Sequence, residues 1–121
     1  MTMRKRQLGK NGPDLTAIGF GSWAIGGPWE YGWGPVNDDD SIKAIRRAFE
    51  LGINWIDTAA EYGLGHSEEV VAKAVEPFKQ EMFVATKCGH VWDEKAKVTN
   101  NLQPASIRRE LEASLRRLKT D

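Results

Sequence analysis

Two short apolar runs, each ending in a charged residue, limit what this chain can fold into. The first covers Ile53 to Ile56 and ends at Asp57, and the second starts at Met82 and ends at Lys87. An apolar run bounded by turn residues and followed by a helical pattern is typical of a buried parallel strand. The pattern predicts an α/β fold in which both charges lie at the carboxyl ends of neighbouring strands, the edge where ligands collect.

Tyr62 follows Asp57 closely and completes a candidate proton-transfer site. Neighbouring parallel strands lie about 4.8 Å apart, so we expect Asp57 and Lys87 to form an ion pair with the Tyr62 hydroxyl beside it. A free tyrosine has a pKa of about 10, and an adjacent ammonium stabilises the phenolate. The alternative is an ordinary Asp–Lys pair with a tyrosine that only packs. The strand-end position of both charges favours a general acid that protonates a carbonyl oxygen.

Composition excludes several classes of function. The 121 residues suffice for one modest core, and 17 basic against 17 acidic residues leave no net charge to attract nucleic acid or an anionic membrane. The single cysteine, Cys88, excludes an internal disulfide framework and suits a reducing, cytoplasmic compartment. The apolar stretches are too short for a spanning helix, and no secretory signal pattern is present.

The flanking segments predict a hairpin and three helices. Arg4–Leu8 and Asp14–Ala17 surround an Asn-Gly turn signal and predict an extended lead-in or hairpin. The glycines from Gly19 to Gly27 do not have the spacing of a Rossmann fingerprint. Asp38–Ser41 and Ser67 are predicted helix caps, and Pro104 is predicted to open the last helix. The buried stripe of that helix is predicted at Ile107, Leu111, Leu115 and Leu118, and its solvated face at Arg108, Arg109, Arg116, Arg117 and Lys119.

An aromatic-rich loop between Gly26 and Asn37 is the candidate wall of a substrate pocket. Its rings, Trp33 among them, either line an apolar pocket or cover the core, and the two roles are compatible. His90, which follows Lys87 closely, is a better candidate for the pocket than His66, and Trp92 beside it is a further pocket candidate. The aspartate run and the two histidines lack the ligand pattern of a metal site, so no metal is expected. The segment Asp93–Asn101 is predicted to be a polar loop.

Five segments together resemble a known family, the aldo-keto reductases. They match in order over nearly all of the chain: Gly19-Phe20-Gly21-Ser22-Trp23, Asp57-Thr58-Ala59 through Tyr62-Gly63, Gly65-x-Ser67-Glu68, Thr86-Lys87, and Ile107-Arg108 through Thr120-Asp121. The resemblance implies that Asp57, Tyr62 and Lys87 are three members of a catalytic tetrad, with Tyr62 as the proton donor. It also implies that Gly21, Ser22, Trp23 and Asp57 lie near the nicotinamide of NADPH.

The resemblance implies a (β/α)8 TIM barrel, which typically has about 250 residues. Residues 1–121 are then expected to supply a lead-in hairpin and about three βα units of one barrel domain, with no internal boundary. The fourth catalytic member, a histidine, is expected beyond Asp121. We expect the complete protein to reduce aldehydes or ketones with NADPH and the short chain alone to be inactive, associating with copies of itself or with a complementing barrel piece. The alternatives are a non-catalytic NADPH-binding or regulatory module and an inert fragment that self-assembles.

Overall fold

The computed structural model describes residues 2–121, and ten helices and strands within them form an α/β fold. In chain order these are β1 (Lys5–Gln7), β2 (Asp14–Thr16), β3 (Phe20–Gly21), α1 (Asp38–Glu50), β4 (Trp55–Asp57), α2 (His66–Val75), β5 (Phe83–Ala85), β6 (His90–Trp92), β7 (Val98–Asn100) and α3 (Pro104–Leu118). Short 3-10 turns cover Trp23–Gly26 and Glu76–Phe78. None of the helices in this described range is long and apolar enough to cross a membrane.

Three parallel strands form the central sheet, in the order β3–β4–β5. Gly21 of β3 and Ala85 of β5 both lie opposite Asp57, the last residue of β4. Because all three strands run in the same direction, their carboxyl ends meet at one edge of the sheet. The predicted parallel strands, with Asp57 at this edge, are confirmed.

The predicted amino-terminal hairpin is also confirmed. β1 and β2 pair antiparallel, with Arg6 opposite Leu15. Asn54, the residue before β4, holds the hairpin in place: its side-chain oxygen accepts a hydrogen bond from the Thr16 backbone at 2.9 Å, and its amide donates to the Asp14 carbonyl at 2.8 Å. The hairpin therefore covers the amino end of the central sheet and leaves the Asp57 edge open.

The apolar core lies between the central sheet and the two helices α1 and α2. Ile45 of α1, Ile56 of β4 and Val71 of α2 are fully buried, because apolar residues recur at helical spacing on one face of each helix. Each such side chain contributes about 1.5–3 kcal/mol by leaving water. The rings of Phe49 and Phe78 stack at 3.9 Å beside this core. The core therefore holds the helices rigidly against the strands that carry the charged edge.

The starts of α1 and α2 differ from the predicted caps. Asn37 caps α1, since its side chain accepts a hydrogen bond from the Asp40 backbone at 3.0 Å. The predicted capping residues Asp38–Asp40 occupy the first turn instead, where carboxylates stabilise the helix dipole. Ser67 is not a cap either, because α2 begins directly after Gly65 and the Ser67 side chain is fully buried. The Ser67 hydroxyl contacts Ser22 and Thr58, which lie outside α2 in the sequence, so the local pattern does not reveal this role.

The predicted polar loop at Asp93–Asn101 is confirmed only for its first part, because Val98–Asn100 form one strand of a β-hairpin. β6 and β7 pair antiparallel on either side of a tight turn. Asp93 organises that turn, since one of its carboxylate oxygens accepts hydrogen bonds from the Lys95 and Lys97 backbones at 2.9 and 3.0 Å. The strands were missed because each has three residues and carries little apolar alternation.

Helix α3 begins at its predicted proline, but its buried face differs from the prediction. Leu118 is buried as expected, whereas Leu111 is 53% exposed. Two serines, Ser106 and Ser114, are buried in place of the predicted leucine. Arg117 does not belong to the solvated face, because its side chain is 19% exposed and pairs with a buried carboxylate of α2. The burial of these polar side chains depends on the neighbouring helix, so the spacing of apolar residues in α3 does not predict it.

Candidate active site

Asp57 and Lys87 form an ion pair at the carboxyl edge of the central sheet. Lys87 follows β5 by two residues, and its Nζ donates hydrogen bonds to both carboxylate oxygens of Asp57, each at 3.0 Å. The same ammonium donates to the backbone carbonyl of Thr58 at 2.8 Å. The ion pair predicted from the two strand ends is therefore present, and both side chains are nearly half exposed.

Tyr62 completes the group of three residues that the sequence singled out. Its hydroxyl oxygen accepts a hydrogen bond from Lys87 Nζ at 3.2 Å, and the ammonium lies 4.9 Å from the centre of its ring. Asp57 ends β4 and Tyr62 lies in the loop that follows, so both side chains approach Lys87 from the same stretch of chain. The structure thus brings Asp57, Tyr62 and Lys87 into direct contact.

The electrostatics of this group keep Lys87 charged. Burial lowers the pKa of Lys87, but its hydrogen bonds and charge interactions with Asp57 and Tyr62 raise it more, and the pKa lies above its ordinary value of 10.5. Lys87 is therefore an ammonium at neutral pH. A cation in contact with a phenol oxygen stabilises negative charge that develops there, so the arrangement suits a tyrosine that releases its proton.

A close approach of two glycines places the Tyr62 loop. A Cβ atom on Gly63 would lie 2.0 Å from the carbonyl oxygen of Gly26, and Gly63 has a positive φ of 64°. Both features exclude larger residues at this position. The loop after β4 therefore packs directly on the turn that follows Trp23, which brings Tyr62 and the Trp23 ring to the same side of the sheet.

An aromatic cleft of about 430 Å³ opens beside the Tyr62 ring. Its walls come from the loop after β3, the loop after β4 and the β6–β7 hairpin: Trp23, Trp29, Tyr31, Glu61, Tyr62, His90, Val98 and Asn100. His90, a predicted pocket residue, lines this cleft. Trp33, another predicted pocket residue, is 71% exposed and packs edge-on against Trp23 at 5.6 Å, outside the cleft wall.

Trp92, the third predicted pocket residue, lines a neighbouring cleft of about 310 Å³ together with His90. Its ring lies under the guanidinium of Arg117, 5.9 Å from the ring centre. His90 therefore stands at the boundary of both clefts, whereas Trp92 contributes only to the one between the hairpin and α3.

Glu61 is a site residue that sequence reasoning missed. Its carboxylate is hydrogen-bonded to Nδ1 of His90, and both side chains line the aromatic cleft. Its position next to Tyr62 was the available signal. His66 has a different role, because its Nε2 is 2.9 Å from a carboxylate oxygen of Asp38 and joins the starts of α1 and α2. In residues 2–121 no group of three or more histidine, cysteine or acidic side chains is arranged to hold a metal ion.

The residues expected near a nicotinamide divide into open and buried positions. Gly21 faces open space, Trp23 is 40% exposed and the Asp57 carboxylate is accessible. Ser22 is fully buried: its hydroxyl donates to the Asp57 carbonyl at 3.0 Å, and its own carbonyl accepts from the Ser67 hydroxyl at 3.1 Å. A flat ring therefore has room at Gly21, Trp23 and Asp57, while the polar groups of Ser22 are engaged within the protein.

Comparison with known proteins shows the family of this chain. The Aldo/keto reductase family model matches residues 17–121. The chain is similar to the NADH-specific methylglyoxal reductase of Escherichia coli (strain K12), with 40% identity over 131 residues that cover 98% of this chain and 39% of that protein.

Two solved structures have a similar fold. The holo form of aldo-keto reductase AKR11C1 from Bacillus halodurans superposes with a TM-score of 0.84 at 32% identity, covering 98% of this chain and 37% of that one. An aldo-keto reductase from Klebsiella pneumoniae in complex with NADPH gives a TM-score of 0.72 at 29% identity, covering 100% of this chain and 37% of that one. The chain thus spans about two fifths of the length of these relatives. It belongs to the aldo/keto reductase family.

Proposed function

We propose that the complete protein is an NADPH-dependent reductase of aldehydes or ketones, with Tyr62 as the proton donor. The observation that carries this proposal is the contact of one ammonium, Lys87 Nζ, with both oxygens of Asp57 and with the Tyr62 hydroxyl. Family membership supports carbonyl reduction in general. The specific roles of the three residues are our inference from their geometry.

In the proposed reaction Tyr62 gives its hydroxyl proton to the carbonyl oxygen of the substrate. The C=O π electrons move to that oxygen as the carbon gains a hydride, and the product is an alcohol. Lys87 stabilises the phenolate that Tyr62 leaves behind, and Asp57 keeps Lys87 charged and in place. The phenolate then regains a proton from water.

A nicotinamide cofactor, when bound, supplies the hydride for this reaction. We propose that Gly21, Trp23 and Asp57 hold its nicotinamide end, since these positions are open at the strand edge. Ser22 then supports the cofactor site through its buried contacts rather than by touching the cofactor. NADPH is our proposal for the cofactor, supported by the Klebsiella pneumoniae complex; the methylglyoxal reductase relative, which is NADH-specific, makes NADH the competitor to test.

We propose a small carbonyl compound as the substrate, held in the aromatic cleft beside Tyr62. His90 lines this cleft, and Trp33 supports the Trp23 ring in its wall. Trp92 is assigned to the neighbouring cleft, where it supports the hairpin that carries His90. A cleft of aromatic side chains with a few polar groups is the usual form of a small-molecule site.

We further propose that the three strands belong to one (β/α)8 barrel domain and that turnover requires the complete barrel. β3 and β5 each pair on one side only within residues 2–121, and a barrel closes such edges. The 121-residue chain alone is then inactive, and we expect it to associate with itself or with a complementing barrel piece. The lone cysteine supports a cytoplasmic location.

The test is replacement of Tyr62 by Phe in the complete protein. Because the variant keeps the ring but has no proton to donate, we expect kcat for NADPH-dependent carbonyl reduction to fall by about two orders of magnitude or more. Tyr31→Phe is the matched control, since Tyr31 lines the same cleft without contacting Lys87. Near-normal turnover by the Tyr62 variant would remove that residue from its role. Cofactor binding without substrate-dependent oxidation in the unaltered protein would favour a regulatory module.

A further inference from the structure

A hydroxyl-bearing residue follows each of the three parallel strands directly. Ser22 comes after β3, Thr58 after β4 and Thr86 after β5. All three hydroxyl groups are joined by hydrogen bonds to the first turn of α2, through two consecutive residues, Ser67 and Glu68. One helical turn thus connects the carboxyl ends of all three strands.

Ser67 holds the first two strands. Its Oγ lies 3.0 Å from Oγ of Ser22 and 3.0 Å from Oγ1 of Thr58. All three side chains are fully buried. Because Thr58 is the neighbour of Asp57, this contact fixes the end of β4 from which the Asp57 carboxylate projects.

Glu68 holds the third strand and is the only acidic side chain among the fully buried residues of the described range. Its Oε1 accepts a hydrogen bond from Thr86 Oγ1 at 2.6 Å, and its Oε2 accepts one from Arg117 Nε at 2.6 Å. A buried carboxylate is unfavourable unless a cation and further donors satisfy it. Both oxygens are satisfied here, so the position of Glu68 is tightly determined.

We propose that Glu68 and Thr86 are positioning residues that aim Lys87 at Asp57 and Tyr62, an inference that rests on the proposed role of Lys87. Thr86 is the residue before Lys87, and the bond from its hydroxyl to a fully buried carboxylate fixes the backbone from which the lysine side chain extends. A lysine side chain has about four rotatable bonds and loses much conformational freedom when it is held in place. When the Lys87 backbone is fixed, fewer side-chain conformations place Nζ out of reach of Asp57 and Tyr62.

Arg117 anchors this arrangement from α3. Its guanidinium neutralises Glu68, lies over the Trp92 ring and contacts Ser114 on its own helix. The chain of contacts therefore runs from α3 and the hairpin, through Glu68 and Thr86, to Lys87. Arg117, Glu68 and Thr86 themselves do not line the aromatic cleft beside Tyr62.

The test compares Thr86→Val with Thr86→Ser in the complete protein by NMR. Valine keeps the shape of threonine and removes the hydroxyl, whereas serine keeps the hydroxyl. We expect the valine variant to lose the NOE between the Tyr62 ring and the Lys87 side chain, and the measured pKa of Lys87 to shift down towards that of an exposed lysine. The serine variant should restore both signals. Thr99→Val, on the exposed face of the hairpin, is the control.

These readouts do not depend on turnover, so the positioning role and the proposed reductase activity succeed or fail separately. A folded Thr86→Val chain with an unchanged NOE and an unchanged Lys87 pKa would overturn the positioning role. If that variant does not fold, Glu68→Gln is measured in the same way, with the exposed neighbour Glu69→Gln as its control. Loss of the fold in both variants would mean that the contacts serve the fold as a whole, which also overturns the proposal.

Discussion

Lys87 is the residue on which the candidate site depends, because it contacts both of the other two members, Asp57 and Tyr62. Asp57 lies at the end of β4 and Tyr62 in the loop beyond, and both contact the same Nζ atom. Within the described residues, no hydrogen bond joins the Asp57 carboxylate directly to the Tyr62 hydroxyl. The cation is therefore the common partner that keeps the acid and the phenol in one arrangement.

The charge of Lys87 predicts a specific pH dependence of stability. Burial lowers its pKa, but its bonds to Asp57 and Tyr62 raise it above 10.5, so the folded chain holds this proton more tightly than the unfolded chain. The contribution is therefore complete below the unfolded pKa and is lost as the pH rises through the folded one. We expect the difference in unfolding free energy between the unaltered chain and Lys87→Met to be constant up to about pH 10 and to shrink above it.

Urea unfolding across this range measures that difference. Its size should be modest, because the Lys87 side chain is 47% exposed and water screens the pair. Lys43→Met is the matched control, since Lys43 is 78% exposed and lies 3.9 Å from its acidic partner. A Lys87 contribution that stays constant well into alkaline pH would contradict the assignment of a raised pKa.

Residue-level reasoning from sequence found the charged pair but not its surroundings. Asp57 and Lys87 were identifiable because each ends an apolar run, and parallel strands bring such ends together. Glu61 does not end an apolar run, so its position next to Tyr62 was a weaker signal, and its contact with His90 could not be predicted. Ser22 was expected at the cofactor on family grounds, and its buried contacts became visible only with the strands in place.

At the scale of elements, the pair of Glu68 and Arg117 is the main polar contact between α2 and α3. Arg117→Met leaves an uncompensated carboxylate in the interior, so we expect a loss of about 3–5 kcal/mol in unfolding free energy. Arg116→Met, on the exposed side of the same helix, should change it by no more than about 0.5 kcal/mol. Denaturant unfolding measures both variants. Equal unfolding midpoints for Arg117→Met and Arg116→Met would show that the Glu68–Arg117 pair does not stabilise the contact between α2 and α3.

Elements with a strong local pattern were predictable, and those that depend on partners were not. The apolar faces of α1 and α2 and the runs of β4 and β5 all follow from periodicity. The β6–β7 hairpin lacks such a pattern and is organised by a side-chain turn at Asp93. The buried serines of α3 escape detection for a related reason, because hydroxyl groups enter an interior only where a neighbouring element leaves a small, polar space.

At the scale of the whole molecule, the central sheet of the described residues has two open edges. β3 and β5 each have one hydrogen-bonded neighbour within the described residues, and Phe83 of β5 is 46% exposed. In the proposed barrel, further strands would cover both edges. The sequence resemblance pointed to this architecture because its matched segments run in order along the chain, whereas apolar patterns alone indicated only parallel βα units.

The central claim is that Tyr62 and Lys87 act as one unit in proton transfer, and a double-mutant cycle in the complete protein tests it most directly. The rates of carbonyl reduction are measured for Tyr62→Phe, Lys87→Met and the double variant. Because each replacement disables the same step, we expect each single variant to lose about two orders of magnitude in kcat and the double variant to be no slower than the slower single one. Losses that multiply in the double variant would mean that the two residues act independently and would contradict the claim.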